Sequence, residues 1–182
     1  WYLGIIAGST LLIAWNILPR MGGMLQSLRY AFFQVASVIT TTGFATADFN
    51  LWPELSRSLL LMLMLLGACA GSTGGGMKVS RFVIMLKSAK REIVRMLHPR
   101  SVHVLKFEEK PLEDNTIHNV FIYFFILILV IGASTLLISL DDMDFESTFS
   151  AVVSCTNNIG PGLGVVGPMG SYATLSYLSK LV

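Results

Sequence analysis

Two short runs carry the polar groups that stand out in an otherwise apolar chain: Thr40, Thr41, Thr42 and Gly43, then Asn157, Asn158, Ile159 and Gly160. Neither run sets a nucleophile beside a base, and neither has the ligand spacing of a metal site. What both offer is oxygen. The first run closes a stretch with no charge from Tyr30 to Ala47. A helix ending at membrane depth directs its last carbonyls along its axis, with roughly half a negative charge there. The residues that follow can turn more peptide oxygens the same way, and such oxygens replace the hydration shell of a small cation in a selectivity filter. Gly43 and Gly160 permit backbone angles that a side chain forbids. The hydroxyls of Thr40, Thr41 and Thr42 and the amides of Asn157 and Asn158 can tie the runs to their surroundings. The competing reading is a simple kink, with threonines bonding back to the preceding turn. Two copies at matched positions weigh against it.

The match is a repeat. Gly160 stands 117 positions after Gly43, and the same shift lays Phe32, Val35 and Ser37 on Phe149, Val152 and Ser154. It also lays the apolar run Trp1–Leu18 over residues 118–135. The repeated unit reads as helix, half-helix, loop, helix, with both copies in one orientation.

Composition places these units in a bilayer. Apolar residues make up 53% of the 182-residue chain, charged residues 13%, and the mean hydropathy is +0.67. The net charge of +2 gives a nucleic-acid reading no electrostatic support. A hydrocarbon core of about 30 Å takes roughly 20 apolar residues in a helix. Trp1–Leu18, ended by Pro19, Gly22 and Gly23, is one candidate span. Ser58–Met77 and Asn119–Leu140 are two more, and a fourth starts near Ser171. "YAFFQVASVITTTGFATA" and "STFSAVVSCTNNIGPGLGVVGP" are too short to cross and return; each fits a half-helix and a loop, which membranes tolerate only beside protein or a watery cavity. Nine of the thirteen Lys and Arg lie from Lys78 to Lys110, marking the Met77–Asn115 side as cytoplasmic. Cys69 and Cys155 read as small packing residues. His98, His103 and His118 read as interfacial. Both ends fall inside apolar runs, so the chain reads as part of a longer one, with no signal peptide at Trp1–Leu18.

Two further segments have a role in this frame. "GACAGSTGGGMK" interrupts the second span, and a run so rich in glycine cannot hold a rigid helix. Gly67, Gly71, Ser72, Thr73, Gly74, Gly75, Gly76 and Lys78 lie on the cytoplasmic side of the loops, where a gate belongs; close packing of small residues is the alternative. A phosphate-binding loop fits less well, because Met77 separates the glycines from Lys78. "KVSRFVIMLKSAKREIVRMLHPR" reads as a helix with an apolar stripe at Phe82, Met85, Leu86, Ile93 and Leu97. Its basic face of Lys87, Lys90, Arg91 and Arg95 suits anionic lipid or a cytoplasmic partner, and Pro99 ends it.

At "TTTGF", "GACAGSTGGGMKVSR" and "NNIGPGLG" the chain resembles the Trk/Ktr/HKT superfamily of potassium transporters, and most of all the membrane subunits of bacterial Trk systems. That resemblance implies an all-α integral membrane fold of four helix–pore-helix–helix units around one pore, with re-entrant filter loops as in potassium channels. The third unit and most of the fourth would be present here. It implies filter glycines at Gly43 and Gly160, and filter carbonyls on Thr41, Thr42, Asn158 and Ile159. It implies a gating role for Gly67–Gly76, a homodimer in the bacterial inner membrane, and a ring of nucleotide-binding regulatory subunits near Lys78–Arg100. Potassium would be substrate, with no cofactor in this chain. The expected units are 1–97, a cytoplasmic linker 98–116, and 117–182.

The function expected is potassium uptake through a carbonyl-lined filter, and not catalysis. A two-pore-unit potassium channel fragment is one alternative, disfavoured by a single Gly per loop. A membrane scaffold whose loops merely pack is the other.

Overall fold

The computed structural model describes residues 1–69, 71–72, 74–98, 106–107, 110–111 and 114–181. Thr73, Pro99, Arg100 and His103, with most of the linker expected at 98–116, lie outside the described residues. The fold is helical. α1 (Tyr2–Met21), α2 (Met24–Ile39), α3 (Glu54–Leu65) and α4 (Val79–Leu97) are followed by α5 (Asp114–Ile138), α6 (Phe145–Thr156) and a short α7 (Tyr177–Leu181). Strands are vestigial. β1 (Leu66–Gly67) pairs in parallel with β2 (Met77–Lys78), Leu66 opposite Met77, while β3 (Lys106–Phe107) pairs antiparallel with β4 (Lys110–Pro111).

α1 and α2 form a helical hairpin. Pro19, expected to end α1, lies inside it; the helix runs on to Met21 and is closed by Gly22 in the left-handed region at φ 70. The C-terminal cap therefore stops the helix, not the proline, as the usual glycine preference at this position dictates. Ile13 and Ile17 of α1, Val35 and Ile39 of α2, Leu60 and Met64 of α3 and Val153 of α6 are fully buried together around Phe49.

Among the described residues, two helices are long and apolar enough to cross a membrane, Tyr2–Met21 and Asn115–Asp141. The span expected at Ser58–Met77 is not a single helix. α3 stops at Leu65, where the glycine-rich run takes over, and α4 begins only at Val79. Near Ser171 the structure places a 3-10 turn at Tyr172–Thr174, and helix resumes at Tyr177. Cys69 and Cys155 are free and exposed in this chain. On α4 the packed positions are Val79, Val83, Ile84 and Ser88, while Leu86, Ile93 and Leu97 are exposed. A helix has one face against its neighbour, and the stripe expected from hydropathy is largely the opposite one.

α6 starts at a defined point because Asp144 caps it, its carboxylate accepting the Ser147 N–H at 3.0 Å. That bond holds the Asp144 carboxyl below the usual carboxylate range. Asp144→Ala is expected to lower stability by about 1 kcal/mol, and Asp144→Asn, which keeps the acceptor, by less. A lowered native pKa contributes stability that is complete above the ordinary aspartate range and is lost as pH falls through it. The gap between wild type and Asp144→Ala should therefore narrow in thermal melts at pH 3 relative to pH 7.

Candidate functional site

The two runs singled out in the sequence adopt the same backbone. After α2, the Thr41 N–H donates to the Val38 carbonyl at 3.0 Å and the Thr42 N–H to Ser37 at 2.9 Å. After α6, the Asn158 N–H donates to Cys155 at 3.1 Å and the Ile159 N–H to Ser154 at 2.9 Å. This crossed pair is the Schellman closure of a helix. It puts Thr41 and Asn158 in the left-handed region, both at φ 56, and Gly43 and Gly160 follow at φ 78 and 110. Asparagine tolerates that region, but a β-branched threonine does so rarely. The same conformation thus occurs at matched positions despite unlike side chains.

The hydroxyls behave in two ways. Thr40 Oγ1 bonds back to Ala36 at 2.7 Å and lies 2.7 Å from the Thr42 hydroxyl. The back-bonding of the kink reading is therefore real at Thr40, but the helix ends all the same. Asn157 is fully buried, and its amide donates to the Met64 carbonyl of α3 at 2.9 Å, so this side chain is a tie. The Gly160 carbonyl accepts the Tyr172 hydroxyl at 2.6 Å. Among the described residues, no hydrogen bond ends on the carbonyls of Thr41, Thr42, Asn158 or Ile159.

The two runs also touch. A Cβ on Gly43 would land on the Ile159 carbonyl oxygen, and would stand 3.1 Å from the carbonyl carbon and 3.3 Å from Pro161 Cδ. Only glycine lets the first run approach the peptide of the second this closely.

The glycine-rich segment packs against both runs. Its ends are joined by the β1–β2 pairing, Leu66 with Met77 and Gly67 with Lys78, which closes the segment at its base. A Cβ on Gly74 would stand 2.9 Å from Thr41 Oγ1, and one on Gly75 would strike the Asn157 main chain. Gly76, at φ 75, lies where a Cβ would stand 2.8 Å from Asn157 Oδ1. That oxygen is buried and has no hydrogen-bond partner. Gly67 abuts the Gly75 carbonyl in the same way. Ser72 Oγ accepts the Gly74 N–H at 3.0 Å and the Ser72 carbonyl accepts Lys78 Nζ, while Gly71 turns at φ 85 in open space. From α5, the Tyr123 hydroxyl holds the Gly76 carbonyl at 3.2 Å, and Arg81 of α4 lies 4.2 Å over the Tyr123 ring.

The residues that sequence reading missed lie behind the second run. Ser147, Ser150 and Ser154 form a fully buried stripe along α6. Ser154 Oγ donates to the Pro161 carbonyl at 3.0 Å, Ser150 Oγ accepts the Leu163 N–H at 2.8 Å, and Ser147 Oγ accepts the Val165 N–H at 2.9 Å. The returning chain is thus fastened at every second residue. After the first run, Ser37 repeats the motif by donating to Phe44 at 2.6 Å, and Gln34 Nε2 reaches the Ala47 carbonyl at 3.5 Å. Three serines at i, i+3 and i+7 in an apolar helix were the available signal, since that spacing shares one face.

Comparison with known proteins adds relatives to this geometry. The family model of TrkH, a cation transport protein, matches residues 23–182. The Trk system potassium uptake protein TrkH of Salmonella typhimurium is 39% identical over 158 residues, which are 87% of this chain and 32% of that protein. TrkG of Escherichia coli (strain K12), also a Trk system potassium uptake protein, is 32% identical over 98% of this chain and 36% of its own length. The crystal structure of the potassium transporter TrkH from Vibrio parahaemolyticus superposes with a TM-score of 0.83 at 36% identity, covering 91% of this chain and 36% of that one. The chain therefore spans about a third of the length of the curated relatives it matches.

Proposed function

This chain belongs to the TrkH family of cation transport proteins, and from that premise we propose that it supplies part of a potassium-uptake pathway through a bacterial plasma membrane. In this reading α2 and α6 are pore helices of two successive units, 1–97 and 117–182, joined by the linker 98–116. The runs Thr40–Gly43 and Asn157–Gly160 are filter loops, with Thr41, Thr42, Asn158 and Ile159 presenting carbonyls to a dehydrated potassium ion. The observation that carries it is the matched pair of closures at φ 56, with the Ile159 carbonyl of the second lying against Gly43 of the first. Among the described residues the carbonyls of Thr41, Thr42, Asn158 and Ile159 accept no hydrogen bond, and a peptide oxygen at membrane depth needs a partner. A cation arriving from water is such a partner.

The segment Gly67–Gly76, whose Gly74 and Gly75 lie against Thr41 and Asn157, is the gate in this proposal. The basic α4 side is cytoplasmic, with a homodimer and a nucleotide-binding regulatory ring as partners. The chemistry is passage of an ion and not catalysis.

The reading is tested by ion-dependent melting of the full-length protein. Potassium is expected to raise the thermal midpoint relative to choline at equal ionic strength. At about a hundred times the dissociation constant the gain is about 2.7 kcal/mol, or several degrees. Identical midpoints across a potassium titration would leave the packing scaffold as the better account.

A further inference from the structure

The second candidate filter loop is held from two units. It is fastened to α6 by the serine stripe, and it is gripped from the opposite side by a residue of the first unit. Asn50 Nδ2 donates to the Gly164 carbonyl at 2.9 Å, and the Gly164 N–H donates to Asn50 Oδ1 at 3.0 Å. The side-chain amide thus bonds one residue's donor and acceptor together, as a neighbouring strand would. Nothing in this arrangement is loose. Asp48 accepts the Asn50 N–H at 3.0 Å, and the next residue, Phe49, is fully buried with its ring edge-on to Trp52. Gly164 lies at φ 62 with Ser147 Oγ where its side chain would be, and Gly167 abuts the Asn50 amide.

We propose that Asn50 is a positioning residue for ion selection: with Ser150 on the other side, it fixes residues 161–165 and through them the carbonyls of Asn158 and Ile159. This rests on the potassium-uptake reading. A filter discriminates between ions only as far as its oxygens resist moving inward toward a smaller one, and a loop clamped on both sides supplies that resistance.

The test uses the full-length protein in vesicles and the isosteric change Asn50→Asp. The carboxylate still accepts the Gly164 N–H, but it presents a second oxygen to the Gly164 carbonyl. At pH 7.5 the potassium-over-sodium flux ratio is expected to fall roughly tenfold, with total flux kept within about twofold. Protonation restores a donor, so lowering the pH to 4.5 recovers the ratio. The Asp48 carboxylate on the same segment and Asp144 at the start of α6, whose Oδ2 lies 3.6 Å from a Cβ built on Gly164, both face this site and favour that protonation. Wild type measured at both pH values is the control. Ser150→Ala, which strips the other side of the clamp, is expected to lose the ratio at both pH values. Amide exchange across 161–167 should rise in Asn50→Asp at pH 7.5 and be suppressed again at pH 4.5 once the intrinsic rate is corrected for. An Asn50→Asp ratio equal to wild type, a loss that ignores pH, or unchanged exchange overturns the proposal. A wild type without potassium preference instead removes the transport reading, and the exchange measurement still decides whether Asn50 holds the loop.

Discussion

Gly43→Ser in the full-length protein is expected to reduce the potassium-over-sodium flux ratio about tenfold or more. Two effects act together. At φ 78 any side chain strains the backbone, by an amount on the order of 1–3 kcal/mol. The larger effect is steric, because the new Cβ coincides with the Ile159 carbonyl oxygen and crowds Pro161. The obstacle is main chain, which has no rotamer to escape into, so the Ile159 peptide must shift or turn. A change of about 1.4 kcal/mol in relative ion affinity is a factor of ten, and displacing one of a few coordinating oxygens is of that order. Gly22→Ser separates the two effects. Gly22 has a similar φ of 70 but open space around it, so that variant should lose a little stability and keep the flux ratio. Counterflow of potassium and sodium in vesicles reads both, and a Gly43→Ser protein with the wild-type ratio would remove Gly43 from the filter.

Gly43 also shows what a sequence can reveal. The break after Thr42 was legible because glycine and clustered threonines are poor continuations of an apolar helix, and the copy at Asn157–Gly160 was legible because a repeat preserves spacing. That both breaks close with the same crossed hydrogen bonds was not, since Thr41 carries no sign of a left-handed backbone. The tertiary fold imposes that angle. Pro19 misled for the converse reason: its missing N–H removes one bond, but the helix needs only two more residues before Gly22 closes it. On α4, amphipathic spacing alone cannot say which face meets α5, and the packed face is set by Val83 and Ile84. Asn50 was invisible because its partner, Gly164, is 114 residues away. No local pattern records such a pairing. The serine stripe on α6 was legible in principle, but serine in an apolar helix equally signals close helix packing, and only the returning chain distinguishes the two.

Removing Gly74 and Gly75 from the same protein is expected to raise basal potassium efflux from loaded vesicles by more than about tenfold. These two residues bring the loop against Thr41 and Asn157, and each does so at a distance that excludes a side chain. The deletion leaves the base of the loop intact, because Leu66–Met77 and Gly67–Lys78 still pair and α3 still delivers the chain to α4. What is lost is reach: the shortened loop cannot lie against both runs at once, and the inner side of the candidate filter opens. A milder change asks the same question without shortening anything. Tyr123→Phe removes the hydroxyl that holds the Gly76 carbonyl at 3.2 Å. One such bond contributes about 0.5–1.5 kcal/mol, which shifts a closed-to-open ratio by about two- to tenfold. The deletion should therefore exceed Tyr123→Phe, and both should exceed wild type in the same vesicles. If neither conducts above wild type while both proteins melt normally, the loop is packing material, and the obstruction to ion flow lies elsewhere along the path.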